Sequence, residues 1–389
     1  MKYDFDTVID RRNTDSLKWN VEENVLPMWV ADMDFRTAPE IISSLEQRLS
    51  HGIFGYTDIP GRWYNAYISW WKNRHGFEMK KEWLMFCTGV IPCISSSVRK
   101  LTSPGDKVII QTPVYNIFFN SILNNGRTVF ENKLKYENGK YEIDFNDLEK
   151  KLSDPKASLM ILCNPHNPVG KIWSKDELER IGCLCKKYCV TVLSDEIHCD
   201  ITDPGEEYIP FASVNETCRN ISVTAIAPTK AFNIAGLQTA CISVPNEELR
   251  KKVNRAINTD EVAEPNAFAV EAAVAAFENG GEWLDELRDY LFYNKVTVRE
   301  FLTKYLPSIK LVDSSATYLL WLDCTQVCSD SKLFAQDMRD KTGLYLSAGS
   351  SYGENGKNFL RMNIACPNKT VREGLKRLKN YMEDYYERD

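Results

Sequence analysis

From Lys107 to Ala227 the chain alternates short apolar runs with stretches whose apolar residues recur at helical spacing. Lys107–Thr112 (KVIIQT) follows a Pro-Gly-Asp turn and reads as a buried strand. Ser158–Cys163 (SLMILC), Val190–Ser194 (VTVLS) and Ile221–Ala227 (ISVTAIA) read the same way. Between them, Tyr115–Asn125 suits a helix. Ser174-Lys-Asp-Glu177 is a capping box, opening a helix that runs towards Tyr188. Strands alternating with helices predict an α/β domain, a mostly parallel sheet covered by helices on both faces.

Beyond Gly280-Gly281 the pattern changes. Helical periodicity runs from Trp283 to Tyr305 and stops before Pro307. Strands at Tyr318–Asp323 and Phe359–Ile364 then mix with helices at Ser331–Lys341 and Thr370–Tyr385, which predicts a smaller α+β domain. A chain of 389 residues exceeds the size at which one core keeps growing, so two domains are expected. The expected division is a large domain at 45–285, a small domain at 286–389, and an N-terminal segment at 1–44 that packs with the small domain.

Composition mainly excludes. The formal net charge is -6 and there is no long basic block, so neither nucleic acid nor an anionic membrane is an expected partner. Met1 to Arg12 is charged and lacks the apolar centre of a secretory signal. No run of about 18 apolar residues is present to span a bilayer. Twelve irregularly spaced cysteines and four histidines make no zinc pattern. The expectation is a cytoplasmic protein with reduced, mostly buried thiols and no metal.

The candidate chemistry gathers at strand ends, where open α/β sheets bind ligands. Lys230, in Ala227-Pro-Thr-Lys-Ala-Phe-Asn-Ile-Ala-Gly236, begins where an apolar strand finishes. A lysine there can form a Schiff base if its surroundings lower its pKa; taken alone it is a solvated loop lysine. Asp195, in Val192-Leu-Ser-Asp-Glu-Ile-His198, suits a partner for a protonated ring nitrogen, or a metal or structural carboxylate. His198 is either a hydrogen-bond partner of a ligand oxygen or a satisfied core histidine. In Cys163-Asn-Pro-His-Asn-Pro-Val-Gly170, two Asn-Pro pairs stiffen a loop that can aim the Asn167 amide. Asn, Asp and Lys at three strand ends in that order weigh against plain turns. Thr88-Gly-Val-Ile-Pro92 looks like a turn opening a helix, with the Val90 and Ile91 N–H groups facing an anion. Tyr115 could stack on a flat ring or sit in the core. Arg361, in Phe359-Leu-Arg-Met-Asn363, suits a two-pronged grip on a carboxylate or a surface salt bridge.

Together these residues resemble the class I/II aminotransferase family of fold-type I pyridoxal 5′-phosphate (PLP) enzymes, over nearly the whole chain. Met28-Trp-Val-Ala-Asp-Met-Asp-Phe35, Phe54-Gly-Tyr56, the Asn-Pro-His-Asn-Pro loop, Ser-Asp-Glu-Ile-His and Arg361-Met-Asn-Ile-Ala-Cys-Pro367 are similar to its cystathionine β-lyase (MalY/PatB-type) branch. The resemblance implies roles. Lys230 would be the Schiff-base lysine and proton shuttle, and Asp195 would pair with the pyridine nitrogen. Asn167 and His198 would face the phenolic oxygen, Tyr115 would stack on the ring, and Arg361 would hold the substrate carboxylate near the Ala31 main chain. Tyr56 would reach the phosphate of a neighbouring subunit, making a homodimer with shared sites. The Asn167–Pro168 bond would be cis. Many members place a serine three residues before the lysine and an arginine eight after it, both on the phosphate. Here those positions are Ala227 and Gln238, leaving Thr229 and backbone donors to compensate.

The expected activity is PLP-dependent carbon–sulfur β-elimination on cystathionine, cysteine or related S-substituted cysteines. The same residues would also serve an aminotransferase acting on an amino acid and a 2-oxo acid. Another alternative is a regulatory binding protein built on this fold. For a second, distal acid group of a substrate, Arg36 and Arg62 are the arginines that the sequence offers.

Overall fold

The computed structural model describes residues 2–386, so Met1 and 387–389, the outermost residues of the expected domains, lie outside the described residues. Seven strands form the central sheet, in the order Leu84–Cys87, Ala240–Ser243, Ser222–Ile226, Thr191–Asp195, Ala157–Cys163, Lys107–Ile110 and Thr128–Glu131. Ala240–Ser243 runs antiparallel to both neighbours, and the pairs from Ser222–Ile226 outwards to Thr128–Glu131 are parallel. The central strands are buried on both faces, as befits parallel strands between two layers of helices. Three strands of this sheet were not among those expected: Leu84–Cys87, Thr128–Glu131 and Ala240–Ser243.

Helix starts follow local chemistry. The Ser174 hydroxyl accepts from the Glu177 N–H, and the Glu177 carboxylate accepts from the Ser174 N–H, which opens Lys175–Lys187. The helix expected from Tyr115 begins instead at Ile117. The Val114 N–H is taken by the Tyr352 carbonyl (2.9 Å), which keeps Tyr115 in a loop. On Gly61–His75, Trp63, Tyr67, Trp70 and Trp71 make one buried aromatic face. It packs on the alanine-rich helix Ala269–Asn279, whose small side chains admit the rings around Phe277.

The helix Gly281–Tyr305 runs unbroken past residue 285. Beyond it lies a second sheet, in the order Lys310–Leu311, Leu319–Asp323, Phe359–Asn363 and Ser347–Ala348. Leu26–Pro27 pairs with Leu344–Tyr345 at the edge of this region. We propose that, among the described residues, 2–44 and 286–386 form one small domain, with the long helix as its link to the large one. All twelve cysteines are free; Cys183 and Cys189 are exposed and the others are buried. Among the described residues no helix is long and apolar enough to cross a membrane.

Candidate active site

Three loops leave adjacent parallel strands at the same level. Cys163 lies opposite Asp195, and Asp195 opposite Ala225. The Asn164 N–H donates to the Asp195 carbonyl (2.9 Å). This register brings Asn167, Asp195 and Lys230 to one cavity of about 220 Å³, which His198, Thr229, Val90 and Ile91 also line. A larger cavity of about 450 Å³, lined by Arg361, shares Ala31, Tyr115 and Lys230 with it.

Asp195 is only 4% exposed, and its carboxylate accepts the Ile197 N–H (3.1 Å). It makes no ion pair among the described residues. Burial pushes its acid up to about 7, against the pull of that N–H. A buried carboxylate held this way is completed by a cationic donor. His198 is also buried, which pushes its imidazole down to about 3 and keeps it neutral. Its Nδ1 has no hydrogen-bond partner among the described residues.

Lys230 donates from Nζ to the Ala31 carbonyl (2.5 Å). Burial lowers its amine to about 8; Asp32 opposes that shift and Arg361 adds to it. About a tenth of such amines are neutral at pH 7. Arg361 is 4% exposed and donates from Nη2 to the Trp29 carbonyl (2.7 Å) and from Nη1 to the Asn167 side-chain oxygen (3.3 Å). Its Nε has no partner, and no carboxylate pairs with it among the described residues. The surface salt bridge open to it in the sequence is therefore not formed. A buried guanidinium without a counter-charge is costly, which suits it to an anionic ligand.

A helix N-terminus closes one side of the smaller cavity. The first bond of the Val90–Leu101 helix joins the Cys93 N–H to the Gly89 carbonyl (3.1 Å). The Val90 and Ile91 N–H groups precede it, so they have no intrahelical acceptor. Gln238 lines the same cavity, with a positive φ of 52°. Among the described residues, Lys230 is the only lysine or arginine lining it. Tyr115 is half-buried there, and burial raises its hydroxyl to about 12. The Asn167–Pro168 peptide is cis. Gly170 closes that loop at φ +68°, where a Cβ would come within 2.6 Å of the Ala316 carbonyl.

Not every expected residue joins the site. Tyr56 is fully exposed and lines neither cavity of the single chain. Arg62 is ion-paired with Glu271, and neither it nor Arg36 lines either cavity. Tyr318, Asn233 and Asn363 were not among the expected residues. The Tyr318 hydroxyl donates to the Ala31 carbonyl (3.2 Å). Asn233 binds the main chain of Met33 and Phe35, and Asn363 that of Val30 and Asp32. Two of them carried a signal: Asn233 lies three residues after Lys230, and Asn363 shares a strand face with Arg361.

His75, Cys199 and Asp200 also converge, which their spacing did not announce. Asp200 Oδ1 already accepts from Trp70 Nε1 (2.9 Å) and faces His75 Nε2 (3.0 Å).

A lysine amine, a buried acid and a helix N-terminus around one cavity at strand ends define an α/β enzyme of the cofactor-binding kind. The chain belongs to the aminotransferase class I and II family, whose model matches residues 23–378. It is 43% identical over 382 residues to cystathionine beta-lyase PatB of Bacillus subtilis (strain 168), covering 96% of this chain and 98% of that one. It is 33% identical over 390 residues to protein MalY of Escherichia coli (strain K12), covering 97% and 98%. Cystalysin of Treponema denticola, whose crystal structure contains pyridoxal 5′-phosphate, superposes with a TM-score of 0.96 at 35% identity, covering 99% of this chain and 100% of that one. The family and fold implied by the sequence motifs are thus those of the chain.

Proposed function

We propose that this protein is a PLP-dependent carbon–sulfur β-lyase, which converts cystathionine or a related S-substituted cysteine and water to pyruvate, ammonia and a thiol. One observation carries the reading. The Lys230 amine and the unpaired Arg361 guanidinium are held two residues apart on the same main-chain segment, at the carbonyls of Ala31 and Trp29. A base and a carboxylate grip are thereby set for one α-amino acid.

The residues fit the cofactor. Lys230 would hold its aldehyde carbon. Asp195 would accept from the ring N–H, the cationic donor that its buried carboxylate lacks. Asn167 and neutral His198 would serve the phenolic oxygen, Tyr115 the ring, and Val90, Ile91 and Thr229 the phosphate. Bound PLP supplies the electron sink for the electron pair left when Cα loses its proton. Arg361 grips the α-carboxylate, beside the Ala31 main chain and the Asn167 amide, and so orients Cα and Cβ. Lys230 Nζ, with its amine lowered to about 8, takes the Cα proton. It can return that proton to the departing sulfur. We further propose a cytoplasmic homodimer, in which the exposed Tyr56 of each copy completes the phosphate site of the other.

Product analysis is the test. Cystathionine should give pyruvate, ammonia and homocysteine at a steady rate with no keto acid present. Turnover that stops after one equivalent and resumes on adding a keto acid would make the protein an aminotransferase.

A further inference from the structure

The larger cavity has an uneven charge. Among the described residues, its lining includes four cationic side chains, Lys230, Lys332, Arg339 and Arg361, and no aspartate or glutamate. The chain as a whole has more acidic than basic residues, 54 against 48. Lys230 and Arg361 belong to the site already described. Lys332 and Arg339 lie on the helix Ser331–Thr342, seven residues apart and so on one face, with Gln336 between them. The acidic residues of that helix, Asp337 and Asp340, do not line the cavity. Lys332 is exposed and makes no ion pair among the described residues. Arg339 is pinned by Glu22 (2.7 Å) and lies over the Tyr345 ring (4.3 Å), which itself stacks on Trp29 (4.8 Å). From Arg361 outwards the wall is therefore aromatic, and the rim is cationic.

We propose that this rim is a subsite for a second carboxylate, so that the enzyme selects S-substituted cysteines whose sulfur substituent ends in an acid group. The inference rests on the lyase reading and names its substrate class. Arg361 takes the α-carboxylate, the Trp29–Tyr345 wall accepts the thioether stem, and Lys332 with Arg339 attracts the distal anion. Arg339 is already shared with Glu22, so Lys332 supplies the larger free charge.

The test compares S-(2-carboxyethyl)cysteine with S-propylcysteine, which have nearly the same shape and differ in the distal charge. Pyruvate release by the holoenzyme gives a ratio of kcat/KM values, in which any general loss of activity cancels. Wild type should favour the acid by about tenfold. Lys332→Ala should cut that preference by about fivefold, the scale of one exposed charge pair. Lys332→Glu should cut it further, and Lys332→Arg should retain it. Calorimetric titration of the holoenzyme with glutarate and butyrate gives a readout without turnover. Glutarate should bind more tightly than butyrate in wild type, and Lys332→Ala should reduce the difference. A selectivity ratio and a glutarate affinity both unchanged in Lys332→Ala and Lys332→Glu would overturn the subsite. If neither cysteine yields pyruvate while glutarate binding still depends on Lys332, the lyase reading fails and the subsite stands.

Discussion

Replacing Asp195 with asparagine should change stability in opposite directions with and without the cofactor. In the apoprotein the carboxylate is buried, makes no ion pair among the described residues, and has its acid raised from 3.8 to about 7. Between those values the folded chain keeps a proton that the unfolded chain releases, so folding weakens as pH rises through this window and levels off above it. At about 1.36 kcal/mol per pH step, the ceiling is about 4 kcal/mol. Water entering the open cavity raises the local dielectric, so about half of that, about 2 kcal/mol, is the expected effect. An asparagine of the same shape carries no such penalty. For a chain of 389 residues, about 2 kcal/mol corresponds to a melting-point difference of about 2–3 °C. The assay is scanning calorimetry of apoprotein from about pH 5 to about pH 8.5. Asp195→Asn should melt progressively higher than wild type as pH rises towards 7, with a constant gap above it. Saturating PLP should reverse the order, because the proposed ring N–H supplies the missing cation for the aspartate alone. A gap that does not vary with pH, or an apo Asp195→Asn protein less stable than wild type at about pH 8, would refute the reasoning.

Further outcomes follow from the same geometry. Lys230→Ala should retain some PLP and lose steady turnover, and borohydride treatment of wild type should fix the cofactor to the peptide containing Lys230, read by mass spectrometry. Arg361→Leu should lower kcat/KM for amino acid substrates by about 100-fold or more, and Arg361→Lys should recover only part of it, because lysine cannot grip with two prongs. Mixing Tyr56→Phe with Lys230→Ala subunits should restore about a quarter of wild-type activity if sites are shared, since half the dimers then have one intact site. Activity equal to the mean of the two parents, or a fully active monomer in light scattering, would exclude sharing.

The parts of the fold that could be read in the sequence are those with strong local signals. Ser158–Cys163 and Val190–Ser194 are apolar on both faces, and their ends put Asn167 and Asp195 in place. The same argument placed Lys230 after Ile221–Ala227. Thr128–Glu131 hid because it lies at a sheet edge with no residue fully buried. Residues that meet across long sequence separations were also hidden. Tyr318 reaches Ala31 from 287 residues away, and Trp29 meets Tyr345 through a two-residue strand pairing. Lys332 and Arg339 lie on a helix that the sequence showed, but nothing in the sequence places them at the rim of the cavity.

The Trp29–Phe35 segment joins the two halves of the site. Its carbonyls are held from both directions. Arg361 takes Trp29, Asn363 takes Val30 and Asp32, and Tyr318 takes Ala31, all from the second sheet region. Lys230 takes Ala31, and Asn233 takes Met33 and Phe35, from the lysine loop. The side chains then anchor the segment. Asp32 and Asp34 pair with Arg11, and Asp34 also with the buried Lys18 (2.8 Å). Met33 and Phe35 are buried in the core. With so many carbonyls already engaged, this strap cannot slide by one residue without unmaking several bonds together. Its rigidity sets the spacing between the Lys230 amine and the Arg361 guanidinium, and so, in the proposed reaction, between the base and the carboxylate of the carbon it deprotonates. That spacing serves any α-amino acid equally. In the proposed lyase, selectivity among amino acids therefore falls to the groups further out, which is the role proposed for the Trp29–Tyr345 wall and the cationic rim.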